Sequence, residues 1–378
     1  MMRTMKEEEV MKYVGAITSG QNVLIGENSP NCHVIITGIS GSGKSVRIAD
    51  IERHIIEDGG TVIAFDINGT HEQISEGCCN WISAQKDGLD VNFLDMSLVN
   101  TGEETLSNLV EYVKKTLCPR QMRGACQLNA VRKAIYFALK NRANFGSDIE
   151  AIACGLEELD DRAAAGAYNH LCPILEGGIF RKSVKKIEGG KLNILSLRGI
   201  NPDTQKRVVE IMLAVMWRQM RIARSQGRKL TIEIDEVQNL NFGHSTVLFE
   251  MLTEVRKYSV NLILATQTLA IFSKKELAVL NQAAVKLFFQ QSVSDVKMVA
   301  ELIEPGHREK WTRSLSRLRI GEAIAVGDLE INGRPLPQPV VTKSQFLQQK
   351  QETLMVAARN FGQVRGYQGD TGGRKVRR

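Results

Sequence analysis

The sequence lacks an apolar run long enough to span a bilayer, and it lacks any C-x-x-C pair. The first absence argues against a membrane-embedded chain. The second, with an odd count of seven cysteines, supports neither a disulfide framework nor a zinc site. The opening Met1-Met2-Arg3-Thr4-Met5-Lys6 is charged and has none of the apolar core of a signal peptide. A cytoplasmic protein with free, buried thiols is the expectation, with any membrane association made through a partner. Cys78 and Cys79 adjoin, and that pair is either redox-sensitive or merely packed.

Excess positive charge is also scarce through the body of the chain. Of a net charge of +7, six units fall from Lys343 onward, where eight basic side chains accompany two acidic ones. Residues 343–378 therefore read as a basic, disordered tail. Such a tail suits nucleic acid or an anionic surface, or is simply solvated.

What is present begins at Gly38-Ile39-Ser40-Gly41-Ser42-Gly43-Lys44-Ser45. The β-prone run Val34-Ile35-Ile36-Thr37 precedes it and a helix-patterned segment, Val46 to Asp58, follows. Strand, glycine-rich turn and helix with this spacing make a phosphate-binding P-loop. Its glycines let backbone N–H groups close around a polyphosphate, and the helix adds its positive end. Lys44 is placed to reach the β- and γ-phosphates of ATP, and the Ser45 hydroxyl to hold Mg²⁺.

Repeating strand–helix units follow. Thr61-Val62-Ile63-Ala64-Phe65-Asp66 reads as a buried parallel strand ending in a carboxylate at the ligand edge. Trp81 to Asp95 predicts one or two short strands. Helical patterns dominate from about Glu103 to Ile179, and their basic residues either meet DNA phosphates or line a solvated face. Strands then recur at Leu192–Leu197, Lys229–Glu236, Val260–Gln267, Val285–Phe289 and Glu322–Val326. This is an α/β, RecA-like pattern: a doubly wound, mostly parallel sheet with an all-α insertion. The core covers residues 1–100 and 185–335, and the insertion residues 101–184.

Three further groups carry chemistry. In Ile232-Glu233-Ile234-Asp235-Glu236, Asp235 sits at a strand end beside the P-loop and is the second candidate Mg²⁺ anchor. Glu236 is the candidate base that polarises the attacking water. Glu233 lies inside the strand and is excluded from both roles. Gln267, after Leu264-Ala265-Thr266, is a candidate sensor of the γ-phosphate. Arg256 either reaches across a subunit interface as an arginine finger or makes an ion pair within its own chain.

GISGSGKS, TIEIDEVQNL and RKYSVNLILATQ together resemble the HerA/FtsK superfamily of P-loop motor ATPases, in particular HerA-like and conjugative type IV secretion ATPases. IAFDINGTHEQ, LNQAAVKLFFQ and GEAIAVG fit the same pattern over roughly residues 20–335. The resemblance implies a hexameric ring with ATP between subunits and double-stranded DNA through the pore. Lys44, Ser45, Asp235, Glu236 and Gln267 map directly onto it, and Arg256 onto the finger. It also leaves two other roles open: a secretion-type assembly ATPase acting on protein, and a regulatory partner of a nuclease or other effector. The chain departs from full HerA proteins in showing no sizeable N-terminal β-barrel, and from many FtsK and coupling proteins in showing no membrane domain.

Overall fold

Apolar runs closed by glycine or a polar residue fold here as strands sealed on both faces, as a parallel sheet requires. The computed structural model describes residues 12–69, 71, 79–223, 230–243, 246–254, 258 and 260–345. β1 (Tyr13–Ala16) and β2 (Asn22–Ile25) precede the P-loop strand β3 (Val34–Thr37), whose four residues are all buried. Helix α1 (Lys44–Glu57) leads to β4 (Thr61–Asp66), and β5 (Cys79–Ser83) follows. The region expected to hold one or two strands has this single one, and it begins before Trp81.

Between β5 and β6 (Leu192–Ser196) the chain is helical: α2 (Ser97–Asn100), α3 (Leu106–Leu117), α4 (Ala125–Asn141), α5 (Asp148–Glu157) and α6 (Arg162–Leu175). Thr105, Ser147 and Asp161 cap α3, α5 and α6 by accepting hydrogen bonds from backbone N–H groups of the first turns. The long α7 (Pro202–Ala223) opens on a proline, which suits a first helical position. Then come β7 (Leu230–Ile234), α8 (Val247–Glu254), β8 (Val260–Thr266), α9 (Lys274–Leu280), β9 (Val285–Phe288), α10 (Val296–Ile303) and α11 (Arg308–Ser316). The chain ends its described part in β10 (Glu322–Gly327), β11 (Leu329–Ile331), β12 (Arg334–Pro335) and β13 (Val340–Lys343).

Among the described residues these strands form one sheet, ordered β12-β11-β2-β1-β13-β10-β9-β3-β8-β7-β4-β6-β5. From β9 to β5 every neighbouring pair is parallel. From β9 to β12 every pair is antiparallel, so both ends of the described chain build a wing beside the parallel core. Lys343, read from sequence as the start of a tail, pairs in this wing, with its Nζ 3.2 Å from Glu322 Oε1. Residues 346–378, and with them the rest of the basic tail, lie outside the described residues.

Alternation along the strands divides the core into two layers. Ile36, Ile263 and Leu287 meet Ile48, Ile51 and Ile55 of α1 on one face. Ile35, Ile232, Ile234 and Leu264 meet α7, α8 and the helical block on the other. The parallel core is thus covered on both sides. Among the described residues, no helix is long and apolar enough to cross a membrane. The described cysteines are free thiols, but only Cys32 is buried and Cys126 is exposed, so the expectation of general burial fails; Cys78 lies outside the described residues.

Candidate nucleotide site at the carboxyl edge

Three adjacent parallel strands bring the predicted groups together. Thr37 at the end of β3 is level with Thr266 at the end of β8, and Leu264 of β8 is level with Ile234 of β7. The P-loop, Gln267 and the Asp235-Glu236 pair therefore emerge at one edge. β8 lies between β3 and β7. The carboxylate strand is thus not beside the P-loop strand, as the sequence had suggested, and Gln267 stands between the two.

The P-loop is held from beneath. Gly38 N–H donates to Thr266 O at 3.3 Å and Ile39 N–H to Gln290 O at 2.8 Å. Ser42 Oγ donates to Ile39 O at 2.7 Å. Ser40 and Gly41 are exposed, whereas Ser42 and Lys44 are buried and Ser45 is half-buried. Gly43, with φ 104°, caps α1, and a Cβ there would meet Gly321 N at 2.7 Å and Gly321 Cα at 2.8 Å. Only glycine fits both the torsion and the space.

Lys44 Nζ donates to Gly38 O at 2.8 Å and Ile39 O at 3.1 Å, so the ammonium is folded back over its own loop. Burial pushes its pKa down, against the opposing pull of Asp235 and Glu236. Burial pushes the Asp235 carboxyl up, and the charge of Glu236 adds to this. A buried cation and two buried carboxylates face one another across the edge, a set that fits a metal–polyphosphate ligand.

Glu236 has φ 58° and ψ 43°, a left-handed conformation rare for a residue with a side chain. Its N–H donates to Asp235 Oδ1 at 2.9 Å. Gln267 Nε2 donates to Glu236 Oε1 at 2.6 Å, and Gln238 Nε2 donates to Glu236 Oε2. Both carboxylate oxygens are thus gripped by amides. Gln238 was not anticipated, although a second amide two residues beyond the acidic pair is visible in the sequence. Arg256 lies outside the described residues.

Two other features escaped sequence reasoning. Arg47, fully buried on α1, donates from Nη1 to Val14 O at 2.9 Å and Thr342 Oγ1 at 3.0 Å, and from Nη2 to Gly321 O at 3.2 Å. It thereby ties the P-loop helix to the antiparallel wing. His71 is enclosed by Glu52, Asp66 and Glu233. Burial alone would depress its imidazolium, but hydrogen bonds to Asp66 and Glu52 and the charges of Glu52 and Glu233 outweigh this and push it up to about 11. Asp66 reaches the expected edge, yet it turns toward His71.

Residues 13–215, more than half of the chain, match the family model described as "Helicase HerA, central domain". The chain is 22% identical over 333 residues to the DNA double-strand break repair helicase HerA of Sulfolobus acidocaldarius, covering 83% of this chain and 66% of that protein. It therefore spans about two thirds of that relative's length. Its fold is similar to VirB4 of Thermoanaerobacter pseudethanolicus, with TM-score 0.68 and 16% identity over 88% of this chain and 95% of that one. It is also similar to the plasmid coupling protein TrwB in complex with the non-hydrolysable ATP analogue ADPNP, with TM-score 0.60 and 15% identity over 82% and 85% of the two chains.

Proposed function

The chain belongs to the family of the HerA helicase central domain, and from that premise we propose that it is an ATP-hydrolysing motor that translocates double-stranded DNA as a hexameric ring. The observation that carries this reading is the convergence of Lys44, Asp235, Glu236 and Gln267 at the ends of three neighbouring strands.

In this reading Gly38 to Gly43 present backbone N–H groups to the triphosphate at the positive end of α1. Lys44 leaves the carbonyls of Gly38 and Ile39 for the β- and γ-phosphates. The Ser45 hydroxyl and Asp235 hold Mg²⁺, which when bound offsets the phosphate charge. Glu236 accepts a proton from the attacking water. Gln238 and Gln267 hold its carboxylate in place until then, and Gln267 reports the γ-phosphate through that same hydrogen bond. The left-handed torsion at Glu236 keeps the carboxylate aimed outward from the strand end.

In the ring reading, Arg256 is assigned to the neighbouring subunit's nucleotide as an arginine finger. Ile271, Val293 and Ile320 are 57%, 93% and 75% exposed, on the loops after β8, after β9 and before β10. All three loops lie at the nucleotide edge, and exposed apolar groups on that edge suit a subunit contact. Helices α3–α6 form an insertion carried by the motor core, residues 101–184. DNA as the track draws on the named activity of the HerA relative and on the positive charge beyond Lys343.

The test is the ATPase rate with and without duplex DNA across a salt series. The proposal predicts stimulation by duplex DNA and binding that weakens steeply with salt. An unchanged rate with no salt-sensitive binding contradicts it.

A further inference from the structure

About two turns along α1 from Lys44, a second polar cluster is sealed inside the protein. Glu52 of α1, Asp66 of β4, Glu233 of β7 and His71 form it, and Glu233 is 0% exposed. His71 Nδ1 is 3.3 Å from Asp66 Oδ1. Its Nε2 is 3.4 Å from Glu52 Oε1 and 3.9 Å from Glu233 Oε2. Neither carboxylate oxygen of Glu233 has a hydrogen-bond partner, and Glu52 Oε2 has none either.

These separations are informative. A charge-assisted N–H···O bond closes to about 2.7–2.9 Å, and all three contacts are longer. Ligands at about 2.0–2.2 Å from a tetrahedral ion stand about 3.3–3.6 Å apart, a range that the 3.4 Å contact of His71 with Glu52 meets and the 3.9 Å contact with Glu233 slightly exceeds. The donor atoms of Glu52, His71 and Glu233 all lie within 4.8 Å of one another. Asp66 sits behind the imidazole on Nδ1, where a carboxylate fixes the tautomer of a metal-ligating histidine.

We propose that Glu52, His71 and Glu233 bind one divalent transition-metal ion of the zinc class, with Asp66 orienting the imidazole. One nitrogen and two oxygen donors suit such an ion better than Mg²⁺ or Ca²⁺, which favour oxygen alone. Being enclosed, the ion is structural. It joins the P-loop helix to the strand that carries Asp235, and so steadies both sides of the nucleotide site without touching nucleotide.

The experiment uses the untagged full chain, stripped with chelator and free of nucleotide, so its outcome is independent of the motor reading. Zn²⁺ is titrated by calorimetry, with Co²⁺ as a visible probe. Expected is one Zn²⁺ per chain, with affinity at least about 10-fold weaker in His71→Ala and Glu233→Gln. Should these variants fail to fold, Asp66→Asn keeps all three ligands; it is expected to weaken binding about 10–100-fold and to shift the Co²⁺ absorption. Absence of stoichiometric Zn²⁺ and Co²⁺ binding by the unaltered chain overturns the proposal. So does binding of equal affinity in the variants.

Discussion

Single residues in this protein are set by burial against a specific partner. His33 is 2% exposed, and its Nδ1 accepts a hydrogen bond from Leu262 N–H at 3.2 Å, which requires the neutral ring. Burial pushes its pKa down to about 4 from 6.5. The unfolded chain takes up a proton near pH 6.5 while the folded chain resists until about pH 4. The native state then binds fewer protons through that window, and stability falls as pH drops across it, by about 3 kcal/mol from this ring. In His33→Asn an amide oxygen can accept the same bond without titrating. Urea unfolding should therefore show a shallower loss between pH 6.5 and 4 in the variant than in the unaltered chain; equal slopes would contradict the assignment. Glu236 and Glu233 show the same rule from the other side. Three positions apart in one segment, one is gripped by two amides at the open edge and the other is enclosed against His71.

The element on which most of this depends is α1, because each of its faces meets something different. Its N-terminus carries Lys44, its apolar stripe of Ile48, Ile51 and Ile55 meets the sheet, and Arg47 and Asp50 meet the antiparallel wing. Arg47→Met removes the donors for Val14 O and Gly321 O. Two carbonyls left without partners, at about 1–3 kcal/mol each, should cost roughly 2–6 kcal/mol in equilibrium unfolding. A loss under about 1 kcal/mol would show that the wing is held by its strand pairing alone. The apolar stripe of α1 was legible in the sequence, because helical periodicity records which side faces a sheet. Arg47, Asp50 and Glu52 were not. On a helix, charged residues look like a solvated face; Arg47 and Asp50 are buried here because a wing built from both ends of the described chain covers them, and Glu52 because it faces His71. That pairing joins β1 to β13 across more than three hundred residues, a register that no local pattern encodes. The parallel order was legible only in part: the motifs marked β3, β7 and β8 but not that β8 lies between the other two. Likewise Glu233 could be seen as a polar residue inside an apolar strand, but its partner His71 comes from a different segment.

At the scale of the whole molecule, the fold gathers its chemistry at one sheet edge and leaves apolar side chains exposed on the loops beside it. The ring proposal makes that edge a shared surface, with Arg256 completing a neighbour's site. Arg256→Ala should then lose ATPase activity that is partly regained on mixing with Glu236→Gln subunits, since each supplies what the other lacks. If mixing restores nothing, Arg256 does not act between subunits. The measurement closest to the central claim compares ATP binding and ATP turnover in Glu236→Gln and the unaltered chain. The amide keeps the site's shape but cannot take a proton, so ATP affinity should be retained while turnover falls by at least about 100-fold. Turnover at the unaltered rate would show that the convergence of β3, β7 and β8 does not make Glu236 the base.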